Sequence, residues 1–89
     1  MKDSSSLTQE IEAAKEQIQI GSYYLHYKRP DKVYQIINLA FLESNEEVCV
    51  VYQALYPPYL TWIRPLSNFL ETVSTDQGKQ KRFTKLTTL

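Results

Sequence analysis

The chain lacks most of the residues that disulfide scaffolds and metal centres require. Its 89 residues include one cysteine, Cys49, and one histidine, His26. A single cysteine cannot form an intramolecular disulfide, and the valines around Cys49 predict a buried, inert thiol. Zinc sites usually need about four ligands from His, Cys and carboxylates. The sequence therefore predicts no disulfide, no metal site and no cofactor.

Glycine and long apolar runs are also scarce. With only Gly21 and Gly78, the chain cannot build a glycine-rich phosphate loop, and it has no Gly-x-Ser-x-Gly nucleophile elbow. No apolar run approaches the ~20 residues of a bilayer-spanning helix, and the polar N-terminus lacks the apolar segment of a signal peptide. These absences predict a cytoplasmic protein with no membrane partner, and they give no positive sign of an enzyme.

Net charge is absent as well. The number of Lys and Arg residues, 10, equals the number of Asp and Glu residues, which disfavours a general nucleic-acid binder because such proteins usually carry a basic excess. The charges are nevertheless uneven. Residues 1–20 hold two lysines against four acids, whereas the stretch from Gln77 onward holds four basic residues and no acid. These ends are interpreted either as solvated charge or as a basic tail that contacts an acidic partner or phosphate.

The N-terminal segment predicts an amphipathic helix. Ser6 and Gln9 have the spacing of a capping box with Ser6 as N-cap, and Gly21 is the expected helix stop. Apolar side chains recur at helical spacing, at Leu7, Ile11, Ala14 and Ile18. Residues 1–20 are thus interpreted as a short lead and a helix. Its narrow apolar stripe needs a surface on the rest of the domain, a second copy or a partner.

From residue 21 the pattern changes to short β-strands. Strands are predicted over residues 22–27, 33–42, 47–55 and 60–64, with a helical turn over 66–70 and closing strands at 71–73 and near 82–83. Turns are predicted at 29–32, 43–46, 56–59 and 76–78. The result is a mainly β fold: a small SH3-like β-barrel of about five strands over residues 21–83. The amphipathic helix precedes it, and a frayed C-terminal tail follows over residues 84–89.

Several segments together resemble a known family. They are Tyr24-x-His26-Tyr27-Lys28, Val50-Val51-Tyr52-Gln53-Ala54-Leu55-Tyr56, Trp62-Ile63-Arg64-Pro65-Leu66, Phe69-Leu70-Glu71-Thr72-Val73 and Arg82-Phe83. Over residues 21–83 the chain is similar to a small bacterial family named domain of unknown function, number sixteen fifty-three. This resemblance implies an SH3-like barrel and no established activity.

The chain departs from that family's pattern at two places. Arg29-Pro30 stands where the family usually has glycine. Leu42-Glu43-Ser44-Asn45 stands where the family often has a His-Ser-Glu-Thr turn. The second departure removes a histidine, so chemistry that requires two histidines is not expected here.

An aromatic and basic series predicts a ligand-binding face. Trp62 and Arg64 lie two apart on one strand and therefore share a face. There the arginine can stack on tryptophan, bind a carboxylate or phosphate, or pair structurally with Glu71 or Glu47. His26 is interpreted either as a hydrogen-bonded structural residue or as part of the binding surface. The candidate ligand-binding residues are Tyr24, His26, Lys28, Tyr56, Tyr59, Trp62 and Arg64, and no residue is assigned a catalytic role.

These features favour a non-enzymatic binding module that holds a peptide or small acidic ligand on an aromatic face. The alternative is a nucleic-acid-binding accessory domain whose basic patch contacts phosphates while tyrosines stack on bases. That alternative predicts that Lys28, Arg29 and Arg64 converge with the basic segment 79–85. An enzyme using His26 with a tyrosine or Arg64 has the least support. A dimerisation role would be favoured if the helix stripe packs on a second copy.

Overall fold

A computed structural model describes residues 2–87 of the chain. The helices are α1 (Ser4–Gln17) and α2 (Leu66–Phe69). The strands are β1 (Tyr23–His26), β2 (Arg29–Leu42), β3 (Glu47–Ala54), β4 (Thr61–Pro65), β5 (Thr72–Thr75), β6 (Gly78–Lys81) and β7 (Phe83–Leu86). The prediction of a mainly β fold with an N-terminal helix is confirmed, with seven strands in the described residues rather than about five.

Five of the strands form one antiparallel sheet in the order β4-β3-β2-β1-β7, and β5 and β6 form a separate hairpin. Within residues 2–87 no strand pairing joins the two sheets. In this part of the chain the large sheet therefore has two unpaired edges, β4 and β7, and does not close into the predicted barrel by strand pairing. The reason is local. The chain turns sharply at Gly78, whose φ of +99° favours glycine, and β6 folds back on β5. The predicted turns at 43–46, 56–59 and 76–78 are confirmed.

Helix α1 begins and ends before its predicted limits. Asp3, not Ser6, is the N-cap, and its carboxylate accepts a hydrogen bond of 2.8 Å from the backbone N–H of Ser6. An aspartate carboxylate is one of the best N-caps because it meets the unpaired N–H groups and the positive end of the helix dipole. The helix ends at Gln17, and Gly21 lies in the following turn with φ +91°.

The turn between β1 and β2 lies before its predicted position at 29–32. The two residues after His26 form a tight turn, and His26 pairs with Arg29, so residues 29–32 belong to β2. A register shift beside His26 leaves Pro30 outside the strand pairing. Proline has no backbone N–H to donate, and at this unpaired position no hydrogen bond of the sheet is lost.

Strand β7 corrects the prediction of a frayed tail over residues 84–89. Residues Phe83–Leu86 pair antiparallel with β1, from Phe83 opposite His26 to Leu86 opposite Tyr23. Phe83 is 5% exposed, and burial of its ring offsets the entropy lost on ordering the strand. Residues 88–89 lie outside the described part of the chain.

The core lies between the large sheet and the two helices. Its buried residues are Ala14, Ile18, Tyr24, Tyr34, Ile36, Leu39, Val50, Tyr52, Ala54, Phe69 and Phe83. The apolar stripe of α1 therefore packs on its own chain through Ala14 and Ile18. The prediction of a buried Cys49 is confirmed, and burial raises the pKa of its thiol. Neither helix in residues 2–87 is long and apolar enough to cross a membrane.

Candidate functional site

A cavity of about 600 Å³ opens beside the β1–β2 turn, β4 and the loop that precedes β4. Such a volume lies within the range of roughly 300–1,000 Å³ that small-molecule sites occupy. Its basic side is lined by His26, Lys28, Arg29, Arg64 and Arg82, and its apolar side by Tyr56, Pro57, Pro58, Leu60 and Trp62. Its remaining lining residues are Tyr34, Tyr52, Ala54 and Phe83, which make a largely buried floor.

The structure brings together five of the seven candidate ligand-binding residues. The five that line the cavity are His26, Lys28, Tyr56, Trp62 and Arg64. Tyr24 does not, because it is 6% exposed and its ring meets Phe69 edge-on in the core at 5.2 Å. Tyr59 is 54% exposed but lies outside the cavity, in the loop before β4, with a left-handed backbone (φ +60°). Its carbonyl accepts a hydrogen bond from the Gln53 side chain.

Trp62 and Arg64 share the cavity face of β4, as alternation predicts. The residue between them, Ile63, is 57% exposed and lies on the opposite face. Trp62 itself is 48% exposed, so its ring forms an accessible wall rather than part of the core. The aromatic partner of Arg64 is Phe83: the guanidinium carbon lies 5.5 Å from the centre of that ring.

Arg64 and Arg82 are held in one hydrogen-bond network. Arg64 Nε donates to the Tyr52 hydroxyl at 3.2 Å, and Arg64 Nη1 donates to Asn68 Oδ1. Arg82 Nε donates to the backbone carbonyl of Asn68 at 3.1 Å. The carboxylate of Glu71, one of the two acids considered as partners of Arg64, pairs instead with Arg82 at 2.6 Å.

The cavity carries a net positive charge. Arg82 is balanced by Glu71, but within residues 2–87 no ion pair reaches Lys28, Arg29 or Arg64. Three cations thus line the cavity without a carboxylate partner. No carboxylate or thiol is among the lining side chains, and no group of His, Cys, Asp and Glu in the described residues could hold a metal ion.

The basic C-terminal segment only partly converges on this cavity. Arg82 lines it together with Lys28, Arg29 and Arg64, whereas its three lysines, Lys79, Lys81 and Lys85, do not. The Lys85 ammonium lies instead 3.5 Å from the side-chain oxygen of Gln19, after α1. The convergence that a nucleic-acid domain requires is therefore incomplete.

Two tyrosine hydroxyls extend the polar lining. The hydroxyls of Tyr34 and Tyr56 are hydrogen-bonded at 2.7 Å, and Arg29 Nη1 lies 3.5 Å from the Tyr56 hydroxyl. Burial, together with this hydroxyl pair, raises the pKa of Tyr34 to about 12. Tyr34 is therefore protonated at neutral pH.

His26 is a neutral side chain in this site. Its Nδ1 accepts a hydrogen bond of 3.1 Å from the backbone N–H of Lys28, so the neutral ring carries its proton on Nε2. Burial, followed by the nearby charges of Arg64, Arg82, Lys28 and Arg29, lowers the pKa of His26 to about 4. At pH 7 the ring is a neutral hydrogen-bond donor, and its pKa lies well below the value near 7 that suits a general base.

This shift predicts that the domain loses stability as the pH falls from about 6.5 to about 4. In that window the unfolded chain protonates its histidine, while the folded chain resists until about pH 4, so stability rises with pH across the window. Because the ring is partly exposed, solvent screening reduces the effect to about 1 kcal/mol. Urea unfolding at pH 7 and pH 4 measures it.

The control for this prediction is His26→Asn, which keeps an acceptor near the position of Nδ1 but does not titrate. The stability loss between pH 7 and pH 4 is expected to be smaller in this variant than in the native protein. Equal losses in the two proteins would show that His26 keeps its ordinary pKa in the fold.

The seven candidate ligand-binding residues did not include Arg82, Asn68 or the aromatic floor, although the nucleic-acid alternative included Arg82 as part of segment 79–85. Arg82 reaches the cavity because β7 pairs with β1, which places Phe83 opposite His26. Asn68 carries no motif of its own and acts through the two arginines that it holds. Strand alternation could have found Tyr52, since Tyr52 and Trp62 are cross-strand partners. No local pattern in the sequence places Asn68 or Phe83 beside the cavity.

Comparison with known proteins agrees with this fold. The family described as "Protein of unknown function (DUF1653)" matches residues 22–85, which include every residue that lines the cavity. The crystal structure of a protein described as belonging to DUF1653, from Bordetella bronchiseptica, is similar, with 35% sequence identity and a TM-score of 0.67. The match covers 79% of this chain and 90% of that chain. No curated protein matches the chain. The resemblance found in the sequence is confirmed, and the chain belongs to the DUF1653 family of proteins of unknown function.

Proposed function

We propose that this protein is a non-enzymatic binding module that holds a small acidic ligand in the cavity beside β4. One observation carries the proposal: Lys28, Arg29 and Arg64, which have no carboxylate partner within residues 2–87, line the same cavity as the half-exposed ring of Trp62. An anionic group of a ligand could bind the cations on the basic side, and a flat apolar group of the same ligand could pack on the apolar side.

The chemistry of these side chains supports a ligand with two parts. Arginine forms charge-assisted hydrogen bonds with carboxylate or phosphate oxygens, frequently two at a time. Tryptophan offers a large flat surface against which another ring stacks. Apolar pocket walls with a few polar groups that orient the ligand are typical of small-molecule sites. A compact aromatic anion fits this arrangement, and so does an acidic residue of a short peptide.

Single-stranded nucleic acid is the second candidate, since its phosphates and bases have the same two chemistries. Lys28, Arg29, Arg64 and Arg82 favour it, but the remaining lysines of segment 79–85 do not line the cavity. The small-ligand module is therefore the better-supported function.

A titration of ¹⁵N-labelled protein with three small probes tests the proposal. Benzoate and phenyl phosphate carry a ring and an anionic group, and benzamide is the neutral control. We expect both anions to shift the backbone amides of Lys28, Arg29 and Arg64 and the indole N–H of Trp62, and benzamide to shift them far less. Silence of these signals with both anions would overturn the proposal.

A short single-stranded DNA, titrated at low and at moderate salt, decides between the two candidates. Phosphate-dominated binding weakens steeply as salt rises. Tight, strongly salt-dependent binding whose shifts extend to Lys79, Lys81 and Lys85 would favour the nucleic-acid domain. Shifts confined to the cavity favour the small-ligand module.

A further inference from the structure

Asn68 of α2 is shared between two of the three arginines that line the cavity, Arg64 and Arg82. Its side-chain oxygen accepts a hydrogen bond from Arg64 Nη1, and its backbone carbonyl accepts one from Arg82 Nε. Arg64 Nε is bonded to Tyr52, and Arg82 Nη2 to Glu71. Within residues 2–87, each guanidinium thus keeps one terminal nitrogen without a protein partner: Nη2 of Arg64 and Nη1 of Arg82. These two nitrogens remain for a ligand.

The position of Arg64 is fixed before any ligand binds. Two hydrogen bonds hold its guanidinium, and the ring of Phe83 lies beneath it at 5.5 Å. A donor that is already oriented loses little conformational entropy on binding, which favours affinity. The side chain of Asn68 thereby connects this arginine to α2.

The charge of the cavity separates two classes of acidic ligand. Lys28, Arg29 and Arg64 lack carboxylate partners in the described residues, and Arg82 is already balanced by Glu71. A carboxylate offers one negative charge and two oxygens to these donors. A phosphomonoester carries about −1.5 to −2 charges at pH 7 and offers three oxygens. A phosphomonoester therefore balances more of the excess positive charge than a carboxylate does, and its three oxygens can accept from more of the separate donors.

We infer that the acidic group of the ligand is a phosphomonoester attached to a flat apolar group, and that Asn68 is the positioning residue that orients Arg64 and Arg82 to receive it. The inference rests on the proposed function and names the class of ligand for the same cavity. The Nε2 proton of His26 provides a further neutral donor on the basic side.

The first test compares the affinities of the native protein for phenyl phosphate and for benzoate. Isothermal titration calorimetry at pH 7.5 compares phenyl phosphate with benzoate, which have the same ring and different anionic groups. We expect phenyl phosphate to bind at least about tenfold more tightly, equivalent to roughly 1.4 kcal/mol. Equal or tighter binding of benzoate would overturn the inference and leave the proposed function standing. Failure of both anions to bind would overturn both.

The pH dependence of binding is the second test. The second ionisation of a phosphomonoester has a pKa of about 6, so affinity for phenyl phosphate should fall several-fold from pH 7.5 to pH 5.5, while that for benzoate stays level. The charged and titratable groups that line the cavity are Lys28, Arg29, Arg64, Arg82, His26, Tyr34, Tyr52 and Tyr56, and Glu71 is paired with Arg82. With pKa values of about 4 and about 12, His26 and Tyr34 stay neutral between these two pH values. Protonation of His26 would add a positive charge to the cavity and would strengthen the binding of either anion as the pH falls. Level phenyl phosphate binding would contradict recognition of the dianion.

The role of Asn68 is tested by Asn68→Asp, which keeps an acceptor oxygen in place and adds a negative charge beside Arg64. We expect this variant to fold normally and to bind phenyl phosphate about tenfold more weakly, with a smaller loss for benzoate. Asn45→Asp is the matched control, because it makes the same charge change in the β2–β3 turn, outside the cavity. Equal phenyl phosphate affinity in the two variants would remove Asn68 from the site.

Discussion

Phe69→Ala is expected to lower the free energy of unfolding by roughly 3–5 kcal/mol, the usual cost of removing a buried phenylalanine ring. Phe69 is 1% exposed, and its ring stacks on Phe83 with centroids 4.0 Å apart. It also meets Tyr24 and Tyr52 edge-on at 5.2 and 5.6 Å. Its removal leaves a void among rings held by three different strands, which can close only partly. Urea denaturation monitored by circular dichroism measures the loss.

The matched control is Leu70→Ala at the next position. Leu70 is 43% exposed, so its truncation should cost less than about 1 kcal/mol. A similar loss in both variants would mean that α2 is only loosely attached to the sheet. A large loss confined to Phe69→Ala would also explain how a one-turn helix keeps Asn68 in place next to the arginines.

Trp62→Ala is expected to weaken the binding of phenyl phosphate at least tenfold, by roughly 1.4 kcal/mol or more, while the fold remains intact. Trp62 is 48% exposed and lines the apolar side of the cavity. The substitution removes the surface on which the ligand's ring would stack. Because half of the side chain is already in water, the free energy of unfolding should fall by only about 1–2 kcal/mol. Calorimetry and urea unfolding separate the two effects.

Ile63→Ala is the control for the tryptophan variant. Ile63 is the next residue of the same edge strand, is 57% exposed and lies on the face away from the cavity. It should bind phenyl phosphate like the native protein. If Trp62→Ala instead lost roughly 3–5 kcal/mol of stability and kept its affinity for phenyl phosphate, Trp62 would be a structural residue. The proposal that its ring stacks on the ligand would then be wrong.

The two sides of the cavity differ in how they are built. The apolar side comes largely from one continuous segment, the loop after β3 and strand β4, which contains Pro57, Leu60 and Trp62. The basic side is assembled from three segments distant in sequence: the β1–β2 turn, β4 and the residue before β7. Changes in distant parts of the fold should therefore affect anion recognition more than ring stacking.

The sequence by itself determined the features that depend on neighbouring residues. Prolines and clusters of polar residues favour the ends of strands, so the turns at 43–46 and 56–59 could be predicted, whereas the same signal at 29–32 lies inside β2. Strand alternation is a local property of the backbone, so the shared face of Trp62 and Arg64 could be predicted as well. The same reasoning identified the mainly β fold and the N-terminal helix, although Asp3 rather than Ser6 caps that helix.

Only the tertiary structure decided which aromatic and basic residues belong to the site. Tyr24 is in the core because the face of β1 that carries it packs against Phe69. Arg82 enters the cavity because β7 pairs with β1, a strand far away in the sequence, and this pairing places Phe83 opposite His26. Asn68 acquires its role only where α2 meets both arginines. Such contacts depend on pairing and packing between distant segments, which local propensity and periodicity do not encode.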